Sequence, residues 1–443
     1  MESVTPSHGI ARGASCDDEN DPHRDMECAF MKILFVNDYG SPIGGAEALT
    51  FALRDVLQQQ GHDVRLFSSS AGSSVDSRKA EYECYGTLSR FRTLLQTLNP
   101  WAYLRLRRVL KEFRPDVVHV RMFLTQLSPL ILPLLSHIPS LYHVVWYRPV
   151  CPTGTKLLPT GSLCRESAGF VCYRNGCVPL RDWGPLRFQM WLWRKWRHVF
   201  KRVVANSRAV QECLIADGIE PVEVIHNGVA VEPVTRVLAS RPVAVFAGRL
   251  VPEKGVDVLL QAFAMVTRGL PEARLIIAGD GPERAKLVEL TEKLELTAKV
   301  MFLGHVAKGE MENRFAQAWV QVVPSRWAEP FGLVAIEAMM RGTAVVASSM
   351  GGLCEIVEHG GTGFLVPPND PQSLAEKLME VLRDRMKAEA MGKSGRDIAE
   401  ARFSLARQCN QFLSIYQQML SGTSVGFPAK EGMPRQALGR NGI

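Results

Sequence analysis

The sequence predicts an α/β protein built from two Rossmann-like, doubly wound domains. Three observations carry that reading. Short apolar runs of strand character alternate with helical stretches along most of the chain, the rhythm of a parallel sheet with crossover helices. The 443 residues, 46% of them hydrophobic, are too many for one ordinary core and suit two domains of about 200 residues each. Periodicity is lost from Val231 to Arg241, which puts a hinge at 231–241 between a first domain at 31–230 and a second at 242–403.

The first domain opens with the strand KILFVND at 32–38, and Met31-Lys32 before it reads like a natural protein start. Residues 1–30 are polar, lack the apolar core of a secretory signal, and read as a disordered extension or an upstream start, and equally as an ordinary flexible N-terminus. Gly44 and Gly45 follow where the first strand hands over to a helix that Gly61 ends. Glycine there lets a backbone approach a ligand and leaves helix N–H groups open to an anion. A plain tight turn is the other reading. The pair is not part of a G-x-G-x-x-G, which disfavours a nicotinamide cofactor. DVRLF at 63–67 is a second strand, and PDVVHVRM at 115–122 is another that ends in His119 and Arg121. His119 is a candidate catalytic residue and reads equally as a satisfied strand-end histidine. Residues 202–229 give a strand, a helix capped by Ser207, a strand and an Asn-Gly turn.

Residues 148–180 interrupt this rhythm with a loop-rich insertion that holds Cys151, Cys164, Cys172 and Cys177. Four cysteines in a chain without a signal peptide argue for a reduced compartment and a metal rather than disulfides. Zinc would staple an insertion too short to have its own core. The spacing lacks paired C-x2-C knuckles, so an iron–sulfur cluster and free thiols stay open.

The second domain begins with VAVFAG at 243–248, then Arg249, and Lys254-Gly255 opens the next helix. Arg offers phosphate a planar fork and Lys a point charge, so the two surround one anion site. LIIAGDGPE at 275–283 is the next strand and turn, and Gly279 and Gly281 would let a nucleotide base approach. Residues 320–347 then give a strand, a break at Pro324-Ser325, a loop carrying Glu329, a helix from about Phe331-Gly332 carrying Glu337, and a strand at Thr343–Ala347. The free N–H groups of Gly332, Leu333 and Val334 would point beyond the strand's carboxyl end and favour an anion. The two carboxylates suit the hydroxyls of a sugar or ribose. The stretch after Asp370 is helical to about 420, and the Gly-, Pro- and Arg-rich tail at 421–443 reads as disordered.

EPFGLVAIE resembles the E-x7-E element of the retaining glycosyltransferases of family four, which have the two-Rossmann GT-B fold. GRLVPEKGVDVLLQAF at 248–263, LIIAGDGPE, Gly351-Gly352 and GGTGFLVPPND at 360–370 match in order, and the resemblance spans roughly residues 31–420. It implies two domains facing across a cleft and a helix at 404–420 that crosses back to the first domain. It implies that a sugar moves from a nucleoside diphosphate to an acceptor hydroxyl, with retention and without a catalytic metal. Arg249, Lys254 and the helix start at Gly332–Val334 would hold the departing diphosphate. Glu337 would take the ribose, Glu329 the donor sugar, and Gly44 and Gly45 the diphosphate and sugar from the other side. The donor phosphate itself would accept the acceptor's proton. Where the family often has H-x-H or H-x-N, this chain has His119 and then Arg121, which leaves the sugar open. A subset of the family carries a similar cysteine-bearing insertion. A sugar-nucleotide epimerase, a phosphorylase with a Lys-bound pyridoxal cofactor, and a nucleotide-sugar-binding protein without catalysis are the other readings.

The formal charge of +7 is concentrated in the first half. Residues 87–114 hold seven basic side chains against Glu112 alone, and residues 181–202 hold seven more with four of the eight tryptophans. Basic residues interleaved with Trp and Phe suit an anionic membrane surface, and so a lipid-linked or membrane-proximal glycan acceptor. A half-buried helix with solvated arginines is the plain alternative. No nucleic-acid recognition motif accompanies the charge. No apolar run is long enough to span a bilayer, so the expected location is the cytoplasm, peripheral to its membrane.

Overall fold

The computed structural model describes residues 30–42, 44–72, 80–232 and 237–422. Nearly all of the expected extension and tail, and part of the expected hinge, lie outside the described residues.

Two parallel sheets organise the chain from Met31 onward. The first has strands β1 (Lys32–Tyr39), β2 (Asp63–Ser69), β3 (Tyr82–Cys84), β4 (Val117–Val120), β5 (Ser140–Val144), β6 (Arg202–Ala205) and β7 (Val222–Val224), in the order β3-β2-β1-β4-β5-β6-β7. The second has β8 (Val243–Ala247), β9 (Arg274–Ala278), β10 (Val300–Gly304), β11 (Val320–Val323), β12 (Ala344–Ser348) and β13 (Gly363–Val366), in the order β10-β9-β8-β11-β12-β13. All neighbouring strands in both are parallel. The central strands are buried end to end, and so they read as unbroken apolar runs rather than alternating ones.

Each sheet reverses its strand order once, between β1 and β4 and between β8 and β11. In open α/β sheets the ligand crevice lies outside the carboxyl ends of the strands at such a switch point. The segments that leave these four strands are the ones on which the motifs fall: Gly44-Gly45, Arg121, Arg249 and the loop from Pro324 to Glu329.

The C-terminal helix Leu405–Ser421 returns to the first sheet. Leu405, Cys409, Phe412, Tyr416 and Met419 recur at helical spacing and form one apolar cluster with Ile33 and Phe35 of β1 and with Leu49 and Leu53 of the first helix. The two passages of the chain between the domains are tied together. Val229 N–H donates to Phe403 O at 2.9 Å and Leu405 N–H to Val229 O at 2.9 Å.

Candidate functional site

β11 is followed by a loop that folds Glu329 inward until it is only 5% exposed. Its Oε1 accepts from Ser325 Oγ at 2.6 Å and from Lys254 Nζ at 2.6 Å. Lys254 reaches it because Gly255 is left-handed, at φ 66°, with Pro324 O only 2.1 Å from where a Cβ would stand. Any side chain at 255 would push apart the β8 and β11 segments that bring cation and carboxylate together. The Lys254 ammonium also lies over the Trp327 ring, 5.5 Å from its centroid.

Directly after this loop, Gly332 is the N-cap of the helix Leu333–Met340, which no side chain caps. Leu333 and Val334 stand in its first turn and Glu337 one turn further on. Gly45 faces this point from the other domain: Leu333 Cδ1 lies 3.2 Å from the position of a Cβ on Gly45. Two helix N-termini, one from each domain, therefore meet with the Lys254–Glu329 pair beside them. Such an arrangement favours an anion carrying hydroxyl groups.

Arg249 is exposed and lines a cavity of about 580 Å³ whose other walls belong to the first domain, among them Tyr39, Glu47, Trp146 and Arg148. Glu47 is buried in the first turn of the helix after Gly44. Burial raises its carboxyl above the usual range, against the pull of its own backbone N–H and of Arg121. Sequence reasoning passed over Glu47, although its place two residues after the glycine pair was a usable signal. Gly279 and Gly281 meet a packing need that the sequence did not announce. Gly248 O occupies the place of a Gly279 Cβ at 1.8 Å, and Leu250 O that of a Gly281 Cβ at 2.4 Å. The glycines are required because the turns after β8 and β9 pack backbone to backbone.

His119 is the clear departure from expectation. It is fully buried, not at the cleft, and its Nδ1 lies 2.5 Å from Tyr416 Oη. The rings of Phe35 and Phe412 are each 4.8 Å away. Burial, reinforced by Arg121, holds it neutral well below the usual histidine range. A ring shut between β4 and the C-terminal helix cannot exchange protons with a substrate, so a catalytic part for His119 is withdrawn. Arg121 is buried too, held down to about 10 by burial, and donates to Thr50 Oγ1 at 2.7 Å.

A second contact between the domains was not foreseen. Glu355 accepts from the backbone N–H groups of Arg208 and Ala209 at 3.0 and 3.2 Å and lies 2.9 Å from His226 Nε2. It thus caps, from the second domain, a helix of the first. Ser207 caps the same helix as expected, accepting from Val210 N–H, and also donates to Pro330 O at 2.5 Å.

Cys151, Cys164, Cys172 and Cys177 all border one small pocket and form no disulfide. Among the described residues, no three His, Cys, Asp or Glu side chains stand together as a group able to hold a metal ion. Backbone hydrogen bonds order the insertion: Leu158 N–H to Ser162 O and Cys164 N–H to Lys156 O at 2.8 Å, and Cys177 N–H to Cys172 O at 3.0 Å.

Among the described residues, no helix is long and apolar enough to cross a membrane. Residues 43–233 match the family model described as Glycosyltransferase Family 4, and residues 234–398 the model described as Glycosyl transferases group 1. A GDP-mannose-dependent alpha-(1-6)-phosphatidylinositol monomannoside mannosyltransferase of Mycobacterium tuberculosis is 35% identical over 185 residues, 40% of this chain and 48% of that protein. The chain spans less than half the length of the curated relatives it matches. Sucrose-phosphate synthase from Thermosynechococcus elongatus superposes with a TM-score of 0.68 at 23% identity, covering 88% of this chain and 99% of that one. Anabaena HepE, solved in complex with UDP and glucose, superposes with a TM-score of 0.64 at 23% identity, covering 88% and 100%. These superpositions establish the GT-B fold.

Proposed function

Because this chain joins a glycosyltransferase family 4 domain to a glycosyl transferases group 1 domain, we propose that it moves a sugar from a nucleoside diphosphate to an acceptor hydroxyl, with retention at the anomeric carbon. The observation that carries the reading is the Lys254–Glu329 pair at the head of the uncapped helix Leu333–Met340. The bond from the anomeric carbon to the donor phosphate oxygen breaks, and a bond to the acceptor oxygen forms. The acceptor proton passes to the released phosphate. Charge grows on that phosphate as the bond opens, so fixed donors aimed at it are the main source of rate. Arg249, Lys254 and the N–H groups of Gly332 to Val334 supply them without a divalent ion. Glu337 takes the ribose hydroxyls, and Glu329 those of the donor sugar. Since Glu329 already holds Lys254, donor binding redirects an existing ion pair rather than assembling one from solvent. The acceptor is a lipid-linked or membrane-proximal glycan, met at the basic, aromatic face of the first domain. The cysteine insertion takes no part in this reaction.

The test is thermal-shift and calorimetric binding of UDP, GDP, ADP and their sugars to the wild type, Glu337→Ala and Lys254→Ala. One nucleotide should stabilise the wild type by about 2.7 kcal/mol at a hundred times its Kd, and both variants should lose that gain. If no nucleotide binds the wild type, the proposal fails.

A further inference from the structure

Arg148 is 5% exposed and lies in the wall of the cleft cavity. Its Nη2 donates only to neutral oxygens, those of Gln96, Leu124 and Gln189 at 3.1 to 3.4 Å. Its Nε has no partner, and among the described residues no carboxylate pairs with it. The buried Asp38 carboxyl acts on it from a distance, but a buried guanidinium with no carboxylate in contact is costly unless a ligand supplies the charge. Arg92, exposed, lines the same cavity and adds a second cation.

The cavity does not end there. Pro152, Val178 and Leu186 belong both to it and to a second cavity of about 470 Å³ between residues 168–178 and the helix Leu180–Trp196. That groove is lined by Phe170, Trp183, Met190 and Trp191, and its cations are Arg187 and Arg194. Arg187 lies over the Trp183 ring, and Arg194 is engaged by Ala168 O and Asp217.

The groove opens on a distinctive surface. Thirteen of the twenty-one large apolar side chains exposed among the described residues fall at positions 85–104 and 163–191. The two stretches are packed against each other: Thr97 Oγ1 donates to Pro185 O at 3.2 Å, and Gln189 Nε2 to Gln96 O at 2.5 Å. Arg90, Arg105, Arg107, Arg108 and Lys195 stand among them with no salt bridge among the described residues. Apolar rings together with unpaired cations complement an anionic bilayer surface.

We infer that this groove and the Arg92–Arg148 end of the cleft together bind a lipid phosphate drawn from the membrane, with its hydrocarbon chain in the groove and its phosphate at the two arginines. The chain would enter between Phe170 and Trp191, pass over Val178 and Leu186, and present its headgroup to the cleft. This rests on the transferase reading and names the carrier of the acceptor.

The experiment uses the full chain and three probes, farnesyl phosphate, farnesol and inorganic phosphate, with donor-nucleotide binding measured in parallel. Farnesyl phosphate should bind at least tenfold more tightly than either of the others. The exposed-site variants Arg92→Ala and Phe170→Ser should each weaken it about tenfold and leave nucleotide affinity unchanged. Sedimentation with vesicles should require phosphatidylglycerol beside phosphatidylcholine and fall in a Phe170→Ser/Trp191→Ser variant. Equal affinity for inorganic and farnesyl phosphate would overturn the groove as a chain site. Failure of farnesyl phosphate to bind while a nucleotide binds would overturn the lipid carrier and leave the donor reading standing. Loss of nucleotide binding alone would strike the donor reading and not this one.

Discussion

Lys254 and Glu329 lie 75 positions apart in sequence and meet at 2.6 Å, their side chains 23% and 7% exposed. Removing one partner strands the other in a poorly hydrated place, which costs about 3–5 kcal/mol for a fully buried pair and less for this one. Lys254→Ala should therefore lower the thermal midpoint as well as abolish donor binding. Lys254→Ala/Glu329→Gln should lose less stability than the two single changes added together. Additive losses in a double-mutant cycle would show that the two charges are not coupled.

Gly255→Ala tests the backbone approach on which that pair depends. The left-handed φ and the Pro324 carbonyl both oppose a Cβ, so the cost should be at least about 2 kcal/mol. Donor affinity should fall with it. A fully stable Gly255→Ala protein with normal affinity would overturn this account.

Glu355→Ala removes a helix cap and the His226 partner together. A loss of about 1–2 kcal/mol is expected. Hydrogen exchange should speed up in the helix Arg208–Ala216, which belongs to the other domain. If faster exchange is confined to the helix that carries Glu355, the cap does not act across the cleft.

His119 and His143 are both held well below the usual histidine range, by burial first and then by Arg121. The unfolded chain takes up protons near pH 6.5 that the folded one refuses. Their neutral burial therefore costs nothing above that pH and destabilises increasingly below it, by up to about 2.7 kcal/mol per pH unit for two groups. Asp38 and Glu47, whose carboxyls burial raises, act in the opposite direction, gaining protons in the fold before the unfolded chain does, and so offset part of that loss. Denaturant unfolding at about pH 7.5 and 5.5 should show the fall, and His143→Phe should roughly halve it. An unchanged slope in that variant would mean that the ring is protonated in the fold.

Phe412→Ala should cost about 3–5 kcal/mol, because the ring packs on His119 and His143 in a fully buried layer. Unfolding that remains cooperative at a lower midpoint would agree with this. A change under 1 kcal/mol would show that the C-terminal helix is not part of the first domain's core.

The alternation of apolar runs and helices announced both sheets, because buried parallel strands leave little choice of residue. The positions of Lys254, Glu329 and Gly332 were legible for a related reason: they fall in short local spacings, cation then glycine, carboxylate then helix start. His119 could not be decided from sequence because its environment is made by Tyr416, 297 residues away, and a strand-end histidine looks the same whether a ligand or a helix covers it. Glu355 and Arg148 were missed on the same grounds. Their significance lies in what stands opposite them, and no local pattern records that.

The returning helix has a consequence for the order of synthesis. The first domain is translated before the second, but one side of its sheet is covered by Phe412, Tyr416 and Met419, which are translated only after the second. Until those residues emerge, Phe35, Leu49 and His119 lie open to solvent on a sheet otherwise ready to fold. The nascent chain must therefore wait, with that face bare or shielded by a chaperone, while the whole second domain is made. The returning helix therefore decides whether the first domain closes: a chain cut short before it forfeits the half that was made earlier.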